Sequence, residues 1–160
     1  MNKIIIIEDD IAICNMIKKF LENNKYSVQY ALNGIEGIHL CKSFVPDLII
    51  LDIMLPGLNG DDVLQKLRKF TNAPVIVVSA KTMVQTKIEL LKMGADDYMT
   101  KPFDLYELLA RIEANLKRTV DNPYQNNNTL VYKDIKINNS LVYINGVLVP
   151  FTSTELSILE

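Results

Sequence analysis

Three uninterrupted apolar runs, Ile4–Ile7, Leu48–Leu51 and Val75–Val78, constrain this chain more than any other feature. A strand with one wetted face alternates apolar and polar residues, whereas these runs contain no polar position. They predict strands of a parallel sheet that is covered by helices on both faces. With two weaker segments, the predicted strands are Lys3–Ile7, Ser27–Ala31, Asp47–Leu51, Pro74–Ser79 and Asp97–Thr100.

Helical stripes separate the strands. Ile13, Ile17, Phe20 and Leu21 recur at helical spacing, and Leu105, Leu108, Leu109, Ile112 and Leu116 do so more loosely. Val63, Leu67 and Phe70 give another stripe, as do Val84, Ile88 and Leu91, while Ile35, Ile38 and Cys41 give the weakest. Strand and helix thus alternate, and right-handed crossovers turn that order into an α/β, doubly wound, five-stranded parallel sheet. Residues 1–118 form this domain.

The pattern changes near Val120. Residues 119–128 are polar and amide-rich and read as a linker. Period-two alternation follows in Leu130, Tyr132, Ile135 and Ile137, then in Leu141–Ile144 and Val147–Val149, with a turn signal at Asn145-Gly146. This predicts a small antiparallel β-sheet fragment. Thr152-Ser153-Thr154-Glu155 forms a capping box, so a helix begins there. The chain stops at Glu160 after about two turns, which reads as a cut within a second domain spanning 129–160.

Charge and cysteine content narrow the environment. Seventeen basic against nineteen acidic residues give a formal net charge of −2, with no general attraction to nucleic acid or anionic lipid. No apolar run approaches the roughly 20 residues that span a bilayer. Cys14 and Cys41 lie in apolar periodic segments and read as reduced core residues. The expectation is a cytoplasmic protein with no membrane partner.

The polar residues at the strand ends carry the chemistry. Glu8, Asp9 and Asp10 follow the first strand, Asp52 the third and Lys101 the fifth, while Ser79 closes the fourth. All fall at carboxyl ends, hence on one edge of a parallel sheet. In the order 2-1-3-4-5 the first and third strands are neighbours at the switch point, where such folds bind ligands. Glu8, Asp9 and Asp52 then share a crevice, and their mutual repulsion calls for a hard divalent cation such as Mg2+. One such cation and Lys101 bring three carboxylates to zero net charge. Asp52 can then act as nucleophile toward a phosphoryl group held by Lys101 and Ser79. Asp10 reads as a helix cap.

The segments IIIIEDD (Ile4–Asp10), LDIMLPG (Leu51–Gly57), Val78-Ser79-Ala80 and GADDYMTKPF (Gly94–Phe103) closely resemble receiver domains of two-component response regulators, which have the flavodoxin/CheY-like fold. The resemblance implies that Asp52 accepts a phosphoryl group from a sensor histidine kinase. It gives Mg2+ to Glu8, Asp9, Asp52 and the backbone carbonyl of Met54, and puts Ser79 and Lys101 on the phosphoryl oxygens. It makes Tyr98 the switch aromatic, turning inward as Ser79 is drawn to the phosphate, and makes Lys101–Pro102 a cis peptide. His39, in the second helix, is no phosphodonor on this reading.

The GADDY stretch and the last receiver helix resemble the winged-helix (OmpR/PhoB-like) subfamily. That implies a homodimer on phosphorylation through the fourth helix, fifth strand and fifth helix. The opposed pairs there are Lys87 with Glu107, Asp97 with Arg111, and Asp96 with Arg118. The tail resembles the sheet that opens the subfamily's DNA-binding domain. Within 122–160, Lys133 and Lys136 stand against Asp134, Glu155 and Glu160, so promoter DNA is expected for a full-length parent and not for this stretch. Two other classes remain. A phosphatase of the haloacid-dehalogenase-like group would carry a second Asp where Met54 stands, and an interaction module would not need Asp52 and Lys101 together.

Overall fold

The structure is a computed structural model that describes residues 1–81 and 84–120, together with four strands between 129 and 149. The predicted turn at Asn145-Gly146, the linker residues 121–128 and the capping box at Thr152–Glu155 lie outside the described residues. The chain divides into two compact units, Met1–Arg118 and Thr119–Glu160.

The first unit alternates β1 (Lys3–Ile7), α1 (Ile11–Asn23), β2 (Ser27–Ala31), α2 (Gly34–Phe44), β3 (Leu48–Asp52), α3 (Gly60–Arg68), β4 (Val75–Ser79), α4 (Val84–Lys92), β5 (Asp97–Thr100) and α5 (Leu105–Val120). The strands form one parallel sheet in the order β2-β1-β3-β4-β5, as the apolar runs predict. The lack of alternation in those runs has a direct cause. Ile5, Ile7, Ile49, Leu51, Val75 and Val77 pack with Cys41, Val63, Leu64, Leu67 and Leu90 from α2, α3 and α4. Ile4, Ile6, Leu48, Ile50, Ile76 and Val78 pack with Cys14, Ile17, Leu21, Leu108, Ile112 and Leu116 from α1 and α5. Each fully buried Ile or Leu contributes roughly 1.5–3 kcal/mol, so both cores bear on stability. Burial also raises the thiols of Cys14 and Cys41 to about 12, and both cysteines are free.

Three helical stripes differ from the expected ones. Ile35 is exposed, and α2 buries Gly34 and Gly37 beside Cys41 instead. A Cβ on Gly37 would lie within 3 Å of the Ile7 side chain, so the absent side chain lets α2 approach β1. On α4, Leu90 is buried while Ile88 and Leu91 are about 40% exposed, and Phe70, just after α3, is half-exposed as well. The α5 helix continues to Val120, two residues into the segment expected to be linker, because Thr119 and Val120 do not break a helix.

The α2 helix ends at an unusual residue. Val45 adopts the left-handed conformation (φ 52°, ψ 74°) with 68% of its surface exposed, and its N–H donates to the Cys41 carbonyl at 3.2 Å. That geometry costs an L-residue roughly 1–2 kcal/mol, and glycine adopts it freely. Allowing for the greater unfolded-state freedom of glycine, Val45→Gly is expected to stabilise the chain by about 0.5–1 kcal/mol. In urea the midpoint should rise with the slope unchanged. A midpoint at or below the parent's would show that Val45 is not strained.

The second unit contains β6 (Thr129–Tyr132), β7 (Ile135–Asn138), β8 (Leu141–Ile144) and β9 (Val147–Val149), paired antiparallel in chain order. Its register aligns Leu130, Ile137, Val142 and Val149 in one cross-strand row. Tyr132, Ile135, Ile144 and Val147 are aligned in another cross-strand row. Among the helices of the described residues, none is long and apolar enough to cross a membrane.

Candidate functional site

All five carboxyl ends of a parallel sheet lie on one edge, and four of them supply a polar side chain here. Glu8 follows β1, Asp52 is the last residue of β3, Ser79 is the last of β4, and Lys101 follows β5. Asp52 thus closes its strand rather than following it, paired in register with Val78. The turn after it runs close to α3. A Cβ on Gly60 would strike Ile53 Cα and the Asp52 carbonyl oxygen, so only glycine lets the helix start so near the strand end. Asp10 caps α1, its Oδ1 accepting the N–H groups of Ala12 and Ile13 at 2.8 and 3.2 Å.

Glu8 and Asp52 are only 4% and 5% exposed, Ser79 is fully buried, and Asp9 faces solvent. The ammonium of Lys101 donates to Glu8 Oε2 and to Asp52 Oδ2, both at 2.6 Å. The remaining carboxylate oxygens take backbone donors: Glu8 Oε1 accepts the Asp10 N–H at 3.2 Å, and Asp52 Oδ1 the Met54 N–H at 2.8 Å. Each buried carboxylate therefore has one cationic and one amide partner, which meets the requirement that buried charge be compensated. The Lys101 N–H donates to the Ser79 carbonyl at 2.9 Å, and the Lys101–Pro102 peptide is cis.

Compensation is nevertheless incomplete. Carboxylate oxygens of Glu8, Asp9 and Asp52 lie within 4.8 Å of one another. Three negative charges against Lys101 leave a formal −2. Burial pushes the Glu8 carboxyl above its ordinary range; the bond from Lys101 opposes this, and the Asp52 charge adds to it. Burial alone would lower Lys101, but its bonds to Asp52 and Glu8 outweigh it and hold the ammonium above its ordinary value. An uncompensated −2 on hard oxygen donors, with Asp9 and Met54 open to water, fits a partly hydrated Mg2+.

The two residues expected to switch, Ser79 and Tyr98, are joined by a chain of contacts. Ser79 Oγ accepts the Lys81 N–H at 3.2 Å, and the Lys81 carbonyl accepts the Tyr98 hydroxyl. The Tyr98 ring already lies inward, with 3% of its surface exposed. Among the charged residues of the expected dimer face, Asp97 Oδ1 accepts from Arg111 at 2.7 Å, and Arg111 also reaches Glu107 at 3.0 Å. Asp96 Oδ2 accepts from Arg68 and from the Val75 N–H, both at 2.8 Å. Lys87 and Arg118 are exposed. The sequence reading overlooked Arg68, which also donates to the carbonyls of Thr71, Ala73 and Gly94. A basic residue ending a helix signals only a C-terminal cap, and nothing local links it to Asp96, 28 positions away.

A doubly wound sheet with acidic residues, a hydroxyl and a lysine at its carboxyl edge defines a receiver. Residues 4–113 match the response regulator receiver domain, and the chain belongs to that family. It is 46% identical over 122 residues to the DNA-binding dual master transcriptional regulator RpaA of Synechocystis, covering 74% of this chain and 51% of that protein. It is 36% identical over 159 residues to the response regulator ArlR of Staphylococcus aureus, covering 99% of this chain and 71% of that one. The chain thus spans about half the length of one of these relatives and about seven-tenths of the other. Among solved structures, the receiver domain of a Francisella response regulator superposes with a TM-score of 0.71 at 40% identity, covering 74% of this chain and 99% of that one. The BeF3-activated receiver domain of Klebsiella pneumoniae RstA does so with a TM-score of 0.70 at 32% identity, covering 72% and 99%.

Proposed function

We propose that this receiver works by phosphorylation of Asp52 from a phosphohistidine of a sensor histidine kinase. The observation that carries the reading is Lys101 bridging two buried carboxylates at 2.6 Å, one of them Asp52. An Asp52 oxygen forms the new O–P bond as the N–P bond of the phosphohistidine breaks, and the electron pair of that bond stays on the imidazole. Lys101 turns from Asp52 toward the phosphoryl oxygens, and the Ser79 hydroxyl donates to another. Such transfers are mostly positioning and charge neutralisation, which the buried, tethered groups supply. Glu8, Asp9, Asp52 and the Met54 carbonyl would hold Mg2+, which supplies neutralising charge at the phosphoryl group. The chain acts only on its own aspartate and is no enzyme toward external substrates.

The readout is a homodimer through α4, β5 and α5, with residues 1–118 as the phosphoacceptor domain. Half-exposed Ile88 and Leu91 on α4 support an interface there. Lys87–Glu107, Asp97–Arg111 and Asp96–Arg118 are the intersubunit pairs. Because Asp97, Arg111, Glu107 and Asp96 already have partners within the chain, pairing across the dimer exchanges contacts. Each exposed pair is worth at most about 1 kcal/mol, so they select the partner more than they supply affinity. We assign 119–128 to the linker, apart from the end of α5, and 129–160 to the opening sheet and helix start of a winged-helix domain. A longer protein with that domain complete would bind promoter DNA in the cytoplasm.

The test is incubation with Mg2+ and acetyl phosphate, followed by intact mass and oligomeric state. One phosphoryl adduct is expected that hydroxylamine removes and that does not form when Mg2+ is chelated beforehand. Absence of an adduct overturns the reading in favour of an interaction module, and continuous release of phosphate overturns it in favour of a phosphatase.

A further inference from the structure

Tyr98 is held at two points. Its hydroxyl donates to the Lys81 carbonyl, and Lys81 in turn donates its N–H to Ser79 Oγ. Over its ring stands the ammonium of Lys87, 5.7 Å from the centroid. Tyr98 belongs to β5, an edge strand of the sheet, yet it is almost completely buried, while Lys87 on α4 remains exposed. The ammonium thus stands between the ring and solvent. Among the described residues Lys87 has no ion pair, and Glu107, its proposed partner across the dimer, is engaged by Arg111 within the chain.

We propose that Lys87 is a positioning residue for the Tyr98 switch. Its ammonium over the ring favours the inward ring, and so ties the state of the phosphorylation pocket to the charged face of α4. The proposal rests on the phosphoacceptor reading above. If the ring turns outward, the Lys81 carbonyl loses its donor and Lys87 loses the ring face, so the inward state holds both contacts together. A cation over an aromatic face at a partly exposed site shifts such an equilibrium by a factor of about two to five. The effect needs charge rather than bulk: arginine retains it, and methionine retains only the stem.

The test uses the full chain with 13C-labelled tyrosine rings, unphosphorylated and dilute enough to be monomeric. The Tyr98 signal is identified by its loss in Tyr98→Phe. Lys87→Met should move that signal toward the solvent-exposed position and lower the ratio of inward to outward ring about two- to fivefold, while Lys87→Arg should leave it in place. Acetyl phosphate with Mg2+ should fill Asp52 more slowly in Lys87→Met by a similar factor, and Lys87→Met should add nothing in a Tyr98→Leu background. An unmoved ring signal in monomeric Lys87→Met overturns the proposal, as does equal slowing in both backgrounds. A role confined to the dimer interface would give that first result. If no variant acquires a phosphoryl group, the phosphoacceptor reading falls, and the ring signal still decides the role of Lys87.

Discussion

Asp52→Asn is expected to take up no phosphoryl group under conditions that fill the parent chain, a loss of roughly a thousandfold or more in rate. The amide has no charged oxygen with which to form an acyl phosphate, and its neighbours do not replace it. Glu8 is as buried as Asp52 and its two oxygens are likewise held, by Lys101 and by the Asp10 N–H, but burial keeps its carboxyl above the ordinary range and so favours the uncharged form. Asp9 is exposed and lies outside the grip of Lys101. Folding should be little affected. The asparagine carbonyl can still accept the Met54 N–H, Lys101 keeps Glu8, and one negative charge leaves a crowded pocket. Stability within about 1 kcal/mol of the parent is expected, measured by urea denaturation beside the intact mass. An adduct that persists in Asp52→Asn would move the acceptor to another carboxylate, and peptide mapping would identify it.

The sequence disclosed the sheet because β1, β3 and β4 are buried on both faces, and that condition leaves a residue-level trace. Ile4–Ile7 is the clearest case, with alternate residues feeding two separate cores. The carboxyl-edge residues were legible for a related reason, since strand ends in a parallel sheet converge whatever the loops do. Helix faces were harder to read. In α2 the buried surface is made by glycines, which carry no apolar signal, and Ile35 points away from the core. In α4 the apolar residues Ile88 and Leu91 are half-exposed, so hydrophobicity marked the wrong face of the helix. The links between distant loops left no trace at all. Arg68 reaches Asp96 and the Gly94 carbonyl only because the fold brings α3 against the approach to β5. The inward setting of Tyr98 likewise depends on a backbone carbonyl, which no side-chain pattern reports.

Lys101→Met should destabilise the chain by about 2–3 kcal/mol at neutral pH. Removing one member of a buried ion pair typically costs about 3–5 kcal/mol, and the one-fifth exposure of the Lys101 side chain reduces that. Methionine replaces the stem but leaves Glu8 and Asp52 facing each other without a cation. The pH dependence follows from the direction of each shift. Glu8 already titrates above its ordinary value because of burial and Asp52, with Lys101 opposing. Between an unfolded pKa of about 4.3 and the raised folded value, the folded chain binds more protons, so stability falls as pH rises. Without Lys101 that window extends upward, and the defect should be small near pH 4 and complete near neutrality. In the parent, the raised Lys101 contributes below its unfolded pKa of about 10.4, and the contribution is lost as pH climbs through the folded value. The variant should lack that alkaline loss. Added Mg2+ should raise the urea midpoint of Lys101→Met more than that of the parent, because the carboxylates then hold no competing ammonium. Binding at a hundred times its dissociation constant is worth about 2.7 kcal/mol, enough to offset most of the defect. Equal responses of the two chains to Mg2+, together with unchanged pH profiles, would show that the ammonium and the metal do not share these carboxylates.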